Sequence, residues 1–190
     1  MNADGKLDVG ANGHDPGAEL VDLVDEVNRV VGQATRWEVR RFNLLHRGVG
    51  IICFNSKGQV YVHRRTPTKD VFPDLYDMFV GGVVASGESY EAAARREIAE
   101  ELGIEGPTPE FLFAHLYLGD RNRSWIYVYE VVWDGALRHQ PEEVVWGSWV
   151  DATDLMDMVR KVNFVPDGEE IFLHFLDWSR QRALYRGFGR

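Results

Sequence analysis

The sequence predicts a mixed α/β fold in which helices cover a β-sheet, and three observations lead to that prediction. Strand-like runs alternate with a few helical segments along the chain. The strands follow one another too closely for regular βαβ units, which disfavours a doubly wound sheet. The chain has 190 residues, 45% of them hydrophobic, so its length suits one domain with a substantial core.

The N-terminal part predicts a leader followed by a small hairpin. Residues 1–18 are rich in Gly, Asn and Asp and show no hydrophobic periodicity, so we expect a flexible leader ahead of a single domain at 19–190. The leader lacks the basic flank and apolar run of a signal peptide. Residues 19–35 alternate between apolar and polar around Glu26–Asn28, which predicts a β-hairpin, and Trp37–Phe42 predicts one helical turn.

The central part predicts a second hairpin, a loop and a strand. His46–Phe54 and Gln59–Arg65 are β-rich runs joined by the turn-forming residues 55–58. Thr66–Tyr76 contains two prolines and predicts a loop. Asp77–Val84 predicts a strand that runs into glycines.

The clearest helix is Glu88–Leu102. It is rich in alanine, and Ala94, Ile98 and Leu102 form an apolar stripe at i, i+4 and i+8. Gly103 follows at the position where a glycine commonly ends a helix. Further strands are predicted near 110–118, 123–133 and 144–150, and further helices near 152–160 and 168–184.

Composition excludes several classes of protein. The formal net charge of −9 argues against binding to a nucleic-acid polymer or an anionic membrane surface, because both need a basic surface. No run approaches the ~18 apolar residues of a membrane span, and we expect a cytoplasmic protein. The single cysteine, Cys53, excludes an intrachain disulfide and disfavours a thiolate zinc site. An acidic enzyme could still act on an anionic substrate if a bound cation lay between the substrate and the acidic side chains.

The Glu88–Leu102 helix carries such a cation-binding pattern. Glu97, Glu100 and Glu101 are spaced i, i+3 and i+4, so they share one face beside the apolar stripe. Three like charges so close repel one another in water, whereas a divalent cation would make the same arrangement favourable. Mg²⁺ or Mn²⁺ prefers such hard oxygen ligands. The alternative is a solvated acidic face without a ligand.

The full spacing favours the metal site over that alternative. The glutamates belong to the pattern G-x5-E-x7-R-E-U-x-E-E-x-G-U, in which U is a bulky aliphatic residue. The probability that a chain of this length matches it by chance is on the order of one in ten million. Its positions are filled by Gly82, Glu88, Arg96, Glu97, Ile98, Glu100, Glu101, Gly103 and Ile104. The segment resembles the box of the Nudix hydrolases.

The resemblance implies a Nudix-type fold, a mixed β-sheet sandwiched between helices, with the box as loop, helix and loop. It also implies a reaction: metal-dependent attack of water on a diphosphate linkage. The expected partner is a small-molecule diphosphate or nucleotide, and a homodimer is common on this fold. Which nucleotide or diphosphate is cleaved does not follow from the sequence.

Roles for the box residues are carried over from the resemblance. Glu100 and Glu101 would be metal ligands, and Glu97 would be a further ligand or the base that takes a proton from the attacking water. Gly82 would offer its backbone carbonyl to the metal, and Arg96 would hold the catalytic glutamate by a charge-assisted hydrogen bond. Glu88 would brace the loop-helix-loop unit.

Many family members place one more catalytic glutamate outside the box. Glu142 and Glu143 follow a proline just before a predicted strand and are our candidates, with Glu143 preferred. Exposed loop charges are the equally plausible alternative.

A wider resemblance covers residues 20–160. The region around the box is similar to isopentenyl-diphosphate isomerases and to the bacterial Nudix hydrolases most like them. Arg64, Arg65 and Lys69 precede the box and suit a phosphate clamp, whereas ion pairing with surface acids is the alternative. Because alternate strand residues face opposite sides, we expect only one of the arginines to face the site.

Two other functions remain as alternatives. The isomerases need a cysteine and a histidine just before the box, where this chain has Gly81 and Val83, and a later glutamate pair, where it has Arg123-Ser124-Trp125. Cys53 lies in an apolar run and is expected to be core. A non-catalytic nucleotide-binding module is the third possibility, but such proteins usually have degenerate boxes. The hydrolase is therefore preferred.

Overall fold

The computed structural model describes residues 16–187, with side chains described for 17–182. Within that range a 3-10 turn at Pro16–Ala18 precedes nine strands and four α-helices. The strands are β1 (Leu20–Val24), β2 (Val30–Thr35), β3 (His46–Phe54), β4 (Val60–Arg65), β5 (Tyr76–Asp77), β6 (Val80–Val83), β7 (Glu110–Leu118), β8 (Arg123–Val132) and β9 (Val144–Val150). The helices are α1 (Arg36–Phe42), α2 (Tyr90–Leu102), α3 (Ala152–Lys161) and α4 (Pro166–Gly187).

The nine strands form one mixed sheet organised around β3. Strand β3 pairs in parallel with β8 along its whole length, from His46 opposite Ser124 to Phe54 opposite Val132. It also pairs antiparallel with β6, which leads into the box. The other antiparallel pairs are β1 with β2 and β3, β3 with β4, β4 with β5 and β9, and β7 with β8.

Helices cover both faces of the sheet. Consecutive strand residues point to opposite faces, so Ile51 and Ile52, both fully buried, enter two different hydrophobic clusters. The cluster around Ile51 includes the predicted helical stripe of Ala94, Ile98 and Leu102. The cluster around Ile52 includes Leu155 of α3 and Ile171 and Phe172 of α4. The predicted sandwich of helices around a mixed sheet is confirmed.

Most predicted elements occur where the sequence places them, and two differ in detail. The strand predicted at Asp77–Val84 is divided into β5 and β6, because the Asp77 carboxylate accepts a hydrogen bond from the Phe79 amide, 3.0 Å away, and diverts the chain. Helix α2 begins at Tyr90, because the Ser89 side chain caps it by accepting from the Ala92 amide. Glu88 therefore lies in the loop before the helix.

The predicted leader is described only in part. Residues 1–15 of the predicted leader lie outside the described residues, and 16–18 form the short 3-10 turn. Between residues 16 and 187, no helix is both long enough and apolar enough to cross a membrane.

Candidate active site

The box forms a loop and a helix anchored on the sheet. Strand β6 sets Gly82 opposite Val49 of β3, and the chain then turns into α2. Glu88 stabilises the turn by accepting a hydrogen bond from the Ala85 amide at 3.1 Å. At the other end Gly103 takes a left-handed conformation, φ 66°, that ends the helix.

The three glutamates of α2 have different surroundings. Glu97 and Glu101 are buried, with 7% and 5% of their surface exposed, whereas the Glu100 side chain is 54% exposed. Burial raises the pKa of Glu97, although the neighbouring Arg96 opposes the rise. Burial also raises the pKa of Glu101, and the negative charges of Glu97 and Glu143 raise it further. The helix thus buries two carboxylates that repel each other.

Arg96 connects four parts of the box. Its guanidinium donates to both carboxylate oxygens of Glu88 at 3.0 Å and to the Val83 carbonyl at 3.1 Å. It also donates to Glu97 at 2.7 Å and to Glu100 at 3.3 Å. These bonds join the loop to the helix and fix the direction in which the Glu97 carboxylate points.

Gly82 leaves room for the Glu97 carboxylate. A Cβ atom at position 82 would lie 2.8 Å from Cδ of Glu97, closer than real Cβ atoms approach. The backbone of β6 and this carboxylate are therefore in direct contact. The neighbouring Gly81 is equally constrained, because its Cβ would overlap the backbone of Val49.

The box offers oxygen ligands of the kind that Mg²⁺ and Mn²⁺ prefer. Glu97 and Glu101 share the buried edge of α2 beside Gly82, and Glu100 lies outside that edge, paired with Arg96. Among the described residues, no three His, Cys, Asp or Glu side chains already stand in a metal-holding group. A cation here would relieve the repulsion between buried carboxylates, so the donor set fits the metal that the sequence predicts.

Of the two glutamates proposed outside the box, only Glu143 reaches the site. Its carboxylate contacts the ammonium of Lys69, and its charge acts on buried Glu101. Glu142 is exposed, and its backbone carbonyl accepts a hydrogen bond from the Thr66 hydroxyl.

The three basic residues of the predicted phosphate clamp do not all lie at the same place in the structure. Arg65 and Lys69 line a cleft of about 150 Å³ next to the box. Arg64 does not line this cleft, and its guanidinium binds the Asp74 carboxylate at 2.8 Å instead. Only one of the two adjacent arginines thus lines the cleft in this conformation, as the alternation along strand β4 leads us to expect, and a role for Arg64 in the clamp stays a prediction.

The cleft also contains residues that the sequence did not single out as site residues. Arg36 and Arg40 of α1, here called the arginine wall, belong to its lining, as do Asp77 and Asp167. Ser124 lies in the lining with only 2% of its surface exposed. The sequence does carry one signal for the arginine wall, the helical spacing at i, i+3, i+4 and i+7 of Arg36, Val39, Arg40 and Asn43.

The residues diagnostic of an isomerase are absent from the site. Cys53 is 1% exposed within the cluster under α2, and burial raises the pKa of its thiol to about 12. A protonated core thiol of this kind does not serve as the acid that the isomerases need next to the box. The expectation that Cys53 belongs to the core is confirmed.

Comparison with known proteins gives the family. The Nudix domain model matches residues 44–175. A Nudix hydrolase of Streptomyces coelicolor is 48% identical over 162 residues, which cover 84% of this chain and 90% of that protein. The crystal structure of a Deinococcus radiodurans protein has a TM-score of 0.69 at 32% identity and covers 80% of this chain and 96% of that one.

A third comparison concerns the fold alone. The Nudix domain of a Shewanella oneidensis protein, crystallised with ADP-ribose, has a TM-score of 0.55 at 21% identity and covers 73% of this chain and 87% of that domain. The family model and the relatives that match most of the chain's length agree with the complete glutamate helix. The chain therefore belongs to the Nudix hydrolases, enzymes that generally hydrolyse derivatives of nucleoside diphosphates.

Proposed function

We propose that this protein is a Mg²⁺- or Mn²⁺-dependent hydrolase that cleaves the diphosphate linkage of a nucleoside di- or triphosphate or a related nucleoside diphosphate derivative. The observation that carries the proposal is the buried pair Glu97 and Glu101, set beside Gly82 at the edge of a basic cleft. The domain at 19–190 would contain the whole site.

Glu97, Glu101 and the Gly82 carbonyl would hold the metal, with Glu100 joining when it leaves Arg96. Bound there, the cation would neutralise diphosphate charge and lower the pKa of a coordinated water. Burial raises the pKa of both carboxylates, and the charge of Glu97 raises that of Glu101 further, so this buried edge favours a positive ligand.

The protein's own groups orient the reaction. Arg96 fixes the Glu97 carboxylate by a 2.7 Å hydrogen bond, so Glu97 is held either as a ligand or as the base that accepts the proton of water. Glu143 is the second candidate base, because its charge acts on Glu101. Lys69, which pairs with Glu143, would bind a substrate phosphate instead and so leave the Glu143 carboxylate free to accept a proton. Arg65 and Lys69 would bind phosphate oxygens from the cleft.

The comparison proteins support the substrate class only in general terms. A Nudix domain of the same fold binds ADP-ribose, a nucleoside diphosphate derivative. The cleft of the present chain combines cationic side chains with a glycine-lined floor, as a phosphate-bearing ligand requires.

The proposal is tested by hydrolysis of a nucleotide panel with Mg²⁺ or Mn²⁺, measured as release of phosphate or nucleoside monophosphate. Glu101→Gln and Glu100→Gln should each reduce turnover, Glu101→Gln by ~100-fold or more because it removes a buried ligand. Glu91→Gln is the matched control, since Glu91 lies exposed on the same helix and pairs with Arg95. Full activity of both test variants on the best substrate would make the metal assignment wrong.

A further inference from the structure

The short helix α1 is held rigidly at the mouth of the cleft. Its N-terminus is a capping box, in which the Thr35 hydroxyl accepts from the Glu38 amide and the Glu38 carboxylate accepts from the Thr35 amide at 2.9 Å. Val39 is buried, and the Asn43 side chain donates to the Gly119 carbonyl at 3.0 Å. These contacts fix which face of the helix points into the cleft.

That face presents two arginines to the box. Arg36 and Arg40 stand one turn apart, and both line the cleft. The positive charge of Arg36 lowers the pKa of Glu97, and the negative charge of Glu143 raises that of Arg40. Gly82, which lies against the Glu97 carboxylate, lines the same cleft, so the arginine wall and the proposed catalytic edge border one cavity.

Each arginine of the wall has five N–H donors but pairs with only one carboxylate in the described part of the chain. Burial, followed by the charge of Arg36, lowers the pKa of Arg40 to about 9, and Arg65 adds to the same effect. Arg36 pairs with Glu19 at 3.3 Å and Arg40 with Asp70, each a single carboxylate that is partly exposed. The buried Nε of Arg36 has no hydrogen-bond partner among the described residues.

The cleft lining as a whole is also rich in cationic side chains. Besides the two arginines of α1 it contains Arg65, Lys69 and Arg121, against Asp77 and Asp167 as its carboxylates. Burial raises the pKa of both acids, that of Asp77 to about 7. Although the chain has a net charge of −9, five cationic side chains of the described residues line this cleft, and three of them, Arg36, Arg40 and Lys69, each pair with a carboxylate that an anionic ligand would displace.

We propose that Arg36 and Arg40 form a subsite for a phosphate group additional to the hydrolysed diphosphate linkage. The inference rests on the proposed function, in which Arg65, Lys69 and a metal already match the charge of a diphosphate. Two further guanidiniums with donors to spare suit another phosphate, since planar guanidinium binds phosphate oxygens in pairs. The preferred substrates are then triphosphates, or diphosphate derivatives that carry an extra phosphomonoester.

Binding of inorganic anions tests the subsite without hydrolysis. Calorimetry of the metal-free protein in EDTA would compare inorganic tripolyphosphate with pyrophosphate. We expect the wild-type protein to bind tripolyphosphate about tenfold more tightly, because a third phosphate gains charge-assisted hydrogen bonds. The double variant Arg36→Gln/Arg40→Gln should bind the two anions with nearly equal affinity.

Two further variants separate binding from folding. Arg41 lies on the same helix but stacks on Trp37 and Phe42 rather than lining the cleft, so Arg41→Gln should keep the preference for tripolyphosphate. Arg40→Lys keeps the charge but not the planar fork, so it should retain part of the preference, whereas Arg40→Gln should lose more of it, a comparison that holds even if the double variant fails to fold. An unchanged preference in the double variant, or an equal loss in Arg41→Gln, overturns the proposal.

Kinetics separates the failure of this inference from the failure of the proposed function. With Mg²⁺, kcat/KM would be compared for a nucleoside triphosphate, the matching diphosphate, and a diphosphate derivative with and without a ribose phosphomonoester. In either pair, a wild-type preference for the substrate with the additional phosphate group that is lost in the double variant supports the subsite and identifies its ligand. Hydrolysis without such a preference overturns the subsite alone, whereas anion discrimination without hydrolysis of any substrate overturns the hydrolase proposal alone.

Discussion

The Glu97 carboxylate occupies the space that any side chain at Gly82 would need. A Cβ atom at position 82 would lie 2.8 Å from Cδ of Glu97, although one residue belongs to a strand and the other to a helix. The same carboxylate is held from its other side by Arg96 at 2.7 Å. Backbone and guanidinium thus fix one side chain between them, which is how a loop and a helix can position a reactive oxygen.

The Gly82→Ala variant should remain folded and lose activity. Gly82 is not among the glycines with positive φ, so alanine meets no backbone strain there, but its methyl group must displace the Glu97 carboxylate. Displacement of a reacting group by about 1 Å can reduce turnover ~100-fold. Turnover and thermal unfolding measured together would show this.

The control for that experiment is Gly32→Ala in β2, where a Cβ atom would meet only the Leu23 side chain at 4.0 Å. Its turnover should stay at the wild-type level. Wild-type turnover in Gly82→Ala itself would show that Glu97 does not need its observed position.

Arg96→Lys should reduce turnover despite conserving the charge. The guanidinium binds Glu88, Glu97 and the Val83 carbonyl at once, and a lysine ammonium cannot reproduce that fork. We expect a ~10- to 100-fold lower kcat, together with a loss of about 1–3 kcal/mol in unfolding free energy from the severed charged hydrogen bonds.

Arg95→Lys provides the comparison, because Arg95 is exposed on the same helix and binds Glu91 and Thr108. Chemical denaturation and steady-state kinetics of both variants give the two quantities. Equal effects in the two variants would mean that Arg96 contributes charge alone.

How much of this structure was predictable depends on the range of the interactions. The box could be predicted because a helix brings i, i+3 and i+4 together wherever it lies, and the apolar stripe of α2 is buried as its periodicity indicates. The break between β5 and β6 was missed, because it follows from the contact of the Asp77 carboxylate with the Phe79 amide rather than from β propensity.

The basic side of the cleft shows where local patterns were not enough. The sequence predicts a helical turn at Trp37–Phe42, yet nothing in that segment alone shows that Arg36 and Arg40 line a cleft next to the box. Likewise, Ser124 comes beside Gly48 only because β3 and β8 pair in parallel, far apart in sequence. Such pairings depend on the packed sheet as a whole.

A double-mutant cycle between Gly48 and Ser124 should show strong coupling. A Cβ atom at Gly48 would lie 2.8 Å from the Ser124 hydroxyl, so Gly48→Ala alone should cost about 1–3 kcal/mol of unfolding free energy by overpacking. Ser124→Ala removes a buried hydroxyl that has no partner among the described residues, so alone it should be neutral or stabilising.

Combining the two changes should recover at least ~0.5 kcal/mol relative to the sum of the single effects, because the methyl group then takes the place of the hydroxyl. Denaturant unfolding of the four proteins gives the coupling. Additive effects would show that Gly48 and Ser124 do not contact each other in solution.

Asp77 should make stability depend on pH in a direction opposite to that of an ion-paired carboxylate. Burial raises its pKa to about 7 from the ordinary 3.8, and the positive charge of Arg65 only partly opposes this rise. Between these values the folded protein holds a proton that the unfolded chain has released, so this group's contribution to stability is complete below pH 4 and is lost as pH rises toward 7. The full loss corresponds to about 4 kcal/mol.

The Asp77→Asn variant should abolish that loss, because asparagine carries no charge and its amide oxygen can still accept from the Phe79 amide. Its advantage over the wild-type protein should therefore be small at pH 4, grow through pH 5 and 6, and level off above pH 7. Guanidinium unfolding across this range measures it, with exposed Asp154→Asn of α3 as the control that should follow the wild-type curve. Parallel curves for Asp77→Asn and the wild-type protein would show that Asp77 is ionised in the fold at all these pH values, and the cleft would then present a negative charge beside Arg65.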